Sequence, residues 1–315
     1  VHSAPPPSSG GTALCESLNV LEGFDLKSMG AGSAQALAVM TEAMRQAFFD
    51  RNTFLGDPDF VDVPLTRLLS RDYAEGIRAT ISGRARSSAD VSPARLPKES
   101  TETTHYSIVD ADGNAAAVTT TINGRFGAAV IAPGTGFFLN NEMDDFTVAP
   151  GTANLYGLVQ GAANAIAPGK RPLSSMAPTL VTRDGRVFMV LGSPGGARII
   201  SIVLQTLLNV IDHGMAPQEA VDAPRIHHQW LPDTVYYETR GVSADTREAL
   251  KARGYTLLEQ SPWGALGLIV VGGVGDAARG AVSSGNDAAV SGALRPGFLY
   301  GAADPRRPAG AALGD

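Results

Sequence analysis

The sequence holds a single cysteine, Cys15. That excludes an internal disulfide and any cysteine-based metal cluster, and leaves the redox compartment open. No apolar run reaches the ~18 residues that suggest a membrane span. The 25 basic residues form no cluster and are outnumbered by 31 acidic ones. With a net charge of −6, nucleic acid is not an expected partner. Neither G-x-S-x-G nor H-E-x-x-H occurs, so no nucleophile elbow or zinc-protease helix is present. There are no repeats and no signal peptide. The chain opens at Val1 without an initiator Met and runs directly into "VHSAPPPSSGG". Either something upstream is removed or this is a segment of a longer polypeptide. An export signal would then lie outside it.

What is present describes a globular protein. Its 315 residues are enough for one large or two modest domains, with 44% hydrophobic and 18% charged positions. The 36 glycines and 20 prolines imply many turns. Leu14, Leu18 and Leu21 stand at helical spacing, with Gly23 as a stop. Ser33 caps a second helix with the stripe Leu37, Met40, Met44 and Phe48. "LTRLLSRDYAEGIRATI" (65–81) reads as a third. Residues 82–102 are polar, aperiodic and dotted with proline, and read as a linker.

Beyond the linker the pattern changes to strands. Two alternating runs flank Asp112-Gly113, and two more flank Asp184-Gly185, both hairpin signals. "GAAVIAPGTGFFLNN" reads as a further strand pair. A long apolar helix follows "GSPGG". Short helices precede Pro224 and Gly254, with late strands in "GALGLIVVGG" and "RPGFLYGAADPR". Helices, a linker, then strand pairs joined by short turns predict an α+β fold. Its expected architecture is a layered αββα sandwich of antiparallel sheets.

Several stretches can carry chemistry, and each has a plain structural alternative. Thr103 stands where the linker ends and a strand begins. An internal threonine is a poor nucleophile. As a first residue it would carry an α-amine of pKa ~7.7–8.0, which can take its own hydroxyl proton. The alternative is an ordinary threonine-rich edge strand. Gly195 and Gly196 precede the apolar helix, so their N–H groups can cradle an oxyanion, or the pair is a tight strand-to-helix turn. Glu142, Asp144 and Asp145 in "NNEMDDF" can hold an ammonium group, or form a solvated turn. Ser174 and Ser175, between two prolines in "RPLSSMAP", can bind a carboxylate, or simply turn the chain. His227-His228 is not read as a metal site. Adjacent strand residues face opposite ways, and no third ligand is nearby.

These motifs are not independent. "PPPSSGG", "GFDL", "LGDPDFVDVP", "TTHYSIVDADGN", "NNEMDDF", "NLYGL", "KRPLSSMAPT", "GSPGGARII", "APRIHHQWLPD" and "GAADPR" follow one another in an order that resembles the γ-glutamyltranspeptidase (glutathione hydrolase) family. The resemblance runs from Pro5 to about Arg306. It decides the open readings at Thr103, the glycine pair and the serine pair.

The resemblance implies an N-terminal-nucleophile hydrolase fold and a proenzyme that cuts itself between Glu102 and Thr103. Residues 1–102 would be the end of the large subunit, helical and closing in a flexible linker. Residues 103–315 would be the small subunit. Thr103 would be the nucleophile, supported by Thr121. Asn123, Glu142 and Asp145 would hold the α-amino end of a γ-glutamyl group, and Ser174 and Ser175 its α-carboxylate. Gly195 and Gly196 would form the oxyanion hole, and Tyr156 would belong to a lid loop. The expected substrates are glutathione and other γ-glutamyl compounds, with amino-acid or peptide acceptors.

The chemistry needs no metal or organic cofactor. The expected location is periplasmic or secreted. The expected partner is the upstream part of the large subunit, which includes an arginine for the substrate carboxylate. The stretch from 261 to 306 is longer and richer in Gly and Ala than the family pattern. Two other readings stand beside this one: an acylase for cephalosporin or glutaryl groups, and a non-catalytic chain lacking its upstream half.

Overall fold

The structure is a computed structural model describing residues 1–88, 103–272, 279–282, 290–293, 298–307 and 310–313. The helices are α1 (Gly10–Leu21), α2 (Leu26–Met29), α3 (Ala34–Phe54), α4 (Leu65–Leu68), α5 (Arg71–Thr80), α6 (Arg198–Ile211), α7 (Pro217–Asp222) and α8 (Ala244–Ala252). The strands are β1 (His2–Ser3), β2 (Thr103–Val109), β3 (Ala115–Thr121), β4 (Thr179–Arg183), β5 (Arg186–Gly192) and β6 (Ile226–His227). They continue as β7 (Val235–Glu238), β8 (Leu257–Gln260), β9 (Gly267–Val271), β10 (Arg279–Val282), β11 (Val290–Ala293) and β12 (Leu299–Ala303).

One antiparallel sheet runs β1-β4-β5-β9-β12. The β2–β3 hairpin is a second layer, packed on β5 and β9. Helix α6 packs on β5, α1 packs on α6, and α3 packs on α1. Their apolar faces merge in one core that includes Leu14, Met44, Met189, Leu191, Val203, Leu207 and Val270. Continuous burial along α6 explains its nearly unbroken apolar sequence. The result is the layered α+β arrangement expected from the strand and helix pattern.

The hairpin approaches the sheet closely because Gly192 has no side chain. A Cβ there would stand 2.3 Å from the His105 ring. That ring spans the hairpin, with Nδ1 2.8 Å from Thr119 Oγ1 and Nε2 3.0 Å from Ser107 Oγ. Burial pushes His105 down to about 4, so it stays neutral at pH 7. This is the structural use of the histidine in "TTHYS".

Three local expectations change. The 65–81 helix is broken, because Ser70 leaves the helix and its Oγ accepts from Tyr73 N at 3.2 Å, capping α5. The "GAAVIAPGTGFFLNN" pair is reduced to a single bridge, Ile131–Phe138, where Gly127 and Ala129 turn to positive φ. β7 and β8 pair in parallel. The start of the linker is docked: Arg86 pairs with Glu42 at 2.6 Å, and Ser88 N donates to Asp233 Oδ2 at 2.7 Å. The rest of it, including Glu102, lies outside the described residues, as does much of the 261–306 stretch.

The "PPPSSGG" turn interlocks with the loop at 173–177. Ser9 N donates to Ser174 O at 2.9 Å, Ser174 N to Pro7 O at 3.1 Å, and Ser8 Oγ to Met176 O at 2.6 Å. Gly10 fits under the loop: an added Cβ would meet Met176 O at 2.2 Å. Gly10→Ala is therefore expected to destabilise the fold by about 1–3 kcal/mol, the usual cost of overpacking. Thermal unfolding measures it, and an unchanged midpoint would show that the interlock is loose.

Candidate active site

Thr103 opens β2 and Thr121 closes β3, and the register places them directly opposite each other. Strand alternation turns Thr103 inward and leaves Thr104 exposed. Thr103 Oγ1 donates to Thr121 Oγ1 at 3.3 Å, and the same Thr121 oxygen accepts from Asn123 N at 2.9 Å. The chain then turns sharply, with Asn123 at φ 68, a conformation Asn tolerates better than most residues. Tyr156 Oη donates toward Asn123, 3.0 Å from its carbonyl oxygen and 2.5 Å from Oδ1. Tyr156 thus closes over the hairpin end.

Around Thr103 lies a narrow pocket of about 20 Å³, lined by Thr121, Asn123, Asp145, Tyr156, Ser174, Ser175 and Gly196 among others. That is room for about one water molecule. These side chains come from segments far apart in sequence. A wider cavity of about 400 Å³ also reaches Thr103, lined by residues 103–107, 265–269 and the chain near Asp304. Of the expected site residues, Glu142 and Gly195 do not line the narrow pocket.

Gly195 and Gly196 lie at φ 142 and φ 55. Their carbonyls accept from Arg198 N and Ile199 N at the start of α6. Among the described residues neither glycine N–H finds an acceptor. A side chain at Gly196 is impossible, since its Cβ would stand 2.4 Å from the Tyr156 ring.

Glu142 and Asp145 belong to one short 3-10 turn, and their carboxyl groups share a hydrogen bond. Burial, then Glu142's hydrogen bond and charge, push Asp145 up to about 8. Burial raises Glu142 as well. The pair therefore holds a proton at pH 7. Asp145 shares the pocket lining with Ser174, Ser175 and a residue that the motifs do not single out, Arg51. Arg51 is buried, which pushes it down to about 10, and it stays charged at pH 7. The signal was present: Leu37, Met40, Met44 and Phe48 form the inward stripe of α3, and Arg51 is its next position.

The two adjacent histidines are structural. His227 pairs with Ser201 Oγ at 2.9 Å and Gln229 Oε1 at 3.0 Å, and His228 with Asp233 at 3.2 Å. Both are buried, and burial holds both below the usual histidine range.

The pocket thus has a threonine hydroxyl, the Gly196 backbone beside Gly195, the Asp145 carboxyl backed by Glu142, and the hydroxyls of Ser174 and Ser175 next to the Arg51 guanidinium. Among known proteins, the γ-glutamyltranspeptidase family model matches residues 1–314. The glutathione hydrolase proenzyme of Pseudomonas sp. (strain A14) is 51% identical over 315 residues, all of this chain and 52% of that protein. A mutant γ-glutamyltranspeptidase of Helicobacter pylori is 47% identical with a TM-score of 0.55, over 65% of this chain and 100% of that one. The cephalosporin acylase of Bacillus halodurans is 26% identical with a TM-score of 0.75, over 99% of this chain and 51% of that one. With these structures the chain shares the N-terminal-nucleophile hydrolase αββα fold. It spans about half the length of the curated relatives it matches. The chain belongs to the γ-glutamyltranspeptidase family.

Proposed function

We propose that the complete protein is a γ-glutamyl hydrolase and transferase whose nucleophile is Thr103, freed by cleavage after Glu102. Residues 1–102 are then the end of its large subunit, and residues 103–315 its small subunit. The observation that carries this reading is the polarity of the pocket. Asp145, the Ser174–Ser175–Arg51 group and Thr103 all line the same pocket, so an anionic and a cationic recognition element stand together beside the threonine. An acyl group bearing both an ammonium and a carboxylate matches that arrangement. A γ-glutamyl group is one, and glutathione carries it.

The steps follow from the residues. The α-amine of Thr103 takes the proton from Oγ1, which attacks the γ-amide carbonyl. The new C–O bond leaves a tetrahedral oxyanion for the N–H groups of Gly195 and Gly196. The C–N bond then breaks, and the leaving amine takes the proton. The resulting ester is attacked by water, giving glutamate, or by an acceptor amine, giving a new γ-glutamyl compound. Thr121 holds the Oγ1 of Thr103 in place. The neighbouring acylase keeps the second reading alive, but the buried acidic pair favours an acyl group with a free amine. A periplasmic or secreted location belongs to the same proposal. Release of p-nitroaniline from L-γ-glutamyl-p-nitroanilide, compared with the glutaryl analogue, tests it. Preference for the glutaryl compound would move the protein to the acylase reading.

The acidic pair makes a pH prediction. An ammonium group needs Asp145 ionised, and with its pKa up at about 8 it is mostly protonated at pH 7. Binding must then release a proton. The α-amine of Thr103, at ~7.7–8.0, must also be neutral. Log kcat/KM is therefore expected to fall toward acid with a slope near two, below about pH 7. Glu142→Gln removes a neighbouring negative charge, lowers the pKa of Asp145 and brings that slope toward one. A wild-type slope of one would show that Asp145 is already ionised in the free enzyme.

A further inference from the structure

We propose that Arg51 is a positioning residue for substrates with an α-carboxylate, acting through the hydroxyl of Ser175. The role rests on the γ-glutamyl reading and identifies what selects the carboxylate on this side of the pocket.

The geometry is specific. Nε of Arg51 donates to Ser9 Oγ at 2.9 Å, and Nη1 to Asn52 Oδ1 at 2.8 Å and Gln160 Oε1 at 3.0 Å. Nη2 donates to Ser175 Oγ at 3.1 Å. All four acceptors are neutral. Among the described residues no carboxylate lies within ion-pair distance of this guanidinium. Asp145 is near enough to interact with the guanidinium, but burial and Glu142 keep it mostly protonated at pH 7, and a buried charge without an ionised partner is costly. Here a ligand can supply the missing negative charge.

The neighbouring hydroxyls define the route. Ser8 Oγ gives its hydrogen to Met176 O, so Ser174 Oγ, 2.9 Å away, gives its own to Ser8. Ser175 accepts from Arg51 and, among the described residues, donates to nothing. Its hydrogen is the one available to a carboxylate. A donor that itself accepts from a cation is polarised and donates more strongly. Ser9 adds rigidity: it accepts from Arg51 and donates to Ser174 O at 2.7 Å. The guanidinium therefore fixes both the position and the strength of the Ser175 donor. An arginine in direct contact with the carboxylate, such as the family resemblance implies upstream, would do a different job.

The test uses the complete mature protein and two anilides. L-γ-Glutamyl-p-nitroanilide has the α-carboxylate, and 4-aminobutyryl-p-nitroanilide is the same acyl group without it. Arg51→Lys keeps a charge but loses the fork that reaches Ser9, Gln160 and Ser175 together. It is expected to raise KM for the γ-glutamyl compound about 10–100-fold, with kcat changed less than about threefold. On the 4-aminobutyryl compound kcat/KM is expected to be unchanged. Equal losses on both substrates would assign Arg51 to the fold, and an unchanged KM would remove the role. If Arg51→Lys does not fold, Ser175→Ala and Ser175→Thr decide. Loss of the preference for the carboxylate in Ala, with retention in Thr, supports the route. A preference that survives Ser175→Ala overturns it. A wild type inactive on the γ-glutamyl compound would sink the proposed function and this role with it. An active wild type with an indifferent Arg51→Lys sinks this role alone.

Discussion

Thr103→Ala is expected to leave the complete protein uncut and to lower turnover by about a thousandfold or more. Alanine has no oxygen to attack the Glu102 carbonyl during maturation or the substrate carbonyl afterwards. Thr103→Ser keeps that oxygen and is expected to retain part of both activities. It lacks the methyl group that restricts the rotamer facing Thr121. The fold is expected to tolerate the alanine, because among the described residues the hydroxyl of Thr103 has one modest contact, 3.3 Å to Thr121, and the rest of the hairpin register does not depend on it. Intact-mass and N-terminal sequencing measure the cut, which should expose the new end Thr-Thr-His-Tyr. A variant that is still processed and active would mean that another residue is the nucleophile. Thr104 is the obvious alternative by sequence, but alternation turns it outward, away from Thr121 and Asn123.

The parts of this protein legible in its sequence are those set by short-range rules. The two hairpins were readable because Asp112-Gly113 and Asp184-Gly185 supply the positive φ that tight turns demand. Helices α1, α3 and α6 were readable from apolar spacing and from Ser33, whose Oγ caps α3 through Ala36 N at 3.1 Å. What was hidden depends on partners distant in the chain. Ser70 looked like an interior helix residue until its cap bond to Tyr73 broke the helix. The parallel pairing of β7 with β8 is carried by α8, which sits between them in sequence and forces a crossover.

The site has the same division. Motifs gave the candidate residues through a resemblance, and periodicity alone gave none of them a role. The meeting of Thr103 with Ser175 needs the "PPPSSGG" interlock, which joins residues more than 160 positions apart. Arg51 stands in no motif: a charged letter in "FFDRN", in the last turn of α3, carries no local mark of a binding role. The stripe of α3 points Arg51 inward, but its neutral partners Ser9, Gln160 and Ser175 come from distant segments that no local rule names.

Asp145→Ala is expected to lower kcat/KM for a γ-glutamyl anilide by about 10–100-fold and to leave a glutaryl anilide nearly unchanged. The two acyl groups differ by the α-ammonium. A charge-assisted hydrogen bond out of water contributes about 1.5–3 kcal/mol, and each 1.4 kcal/mol is a factor of about ten. The substitution has little reason to damage the fold. The contacts that hold this turn use the Asp145 carbonyl, which accepts from Asn164 Nδ2 at 2.6 Å and Gln160 Nε2 at 3.2 Å. Both survive in alanine. Removing the carboxyl also relieves the crowding with Glu142 that helps push Asp145 up to about 8. The loss should therefore sit in substrate recognition, and it should shrink as pH falls. Below about pH 6 the wild-type carboxyl is protonated and reads the ammonium poorly, so wild type and variant converge. Equal losses on both anilides would show that Asp145 supports the nucleophile and does not read the amine. A ratio independent of pH would show that its proton is not the one released when the ammonium binds.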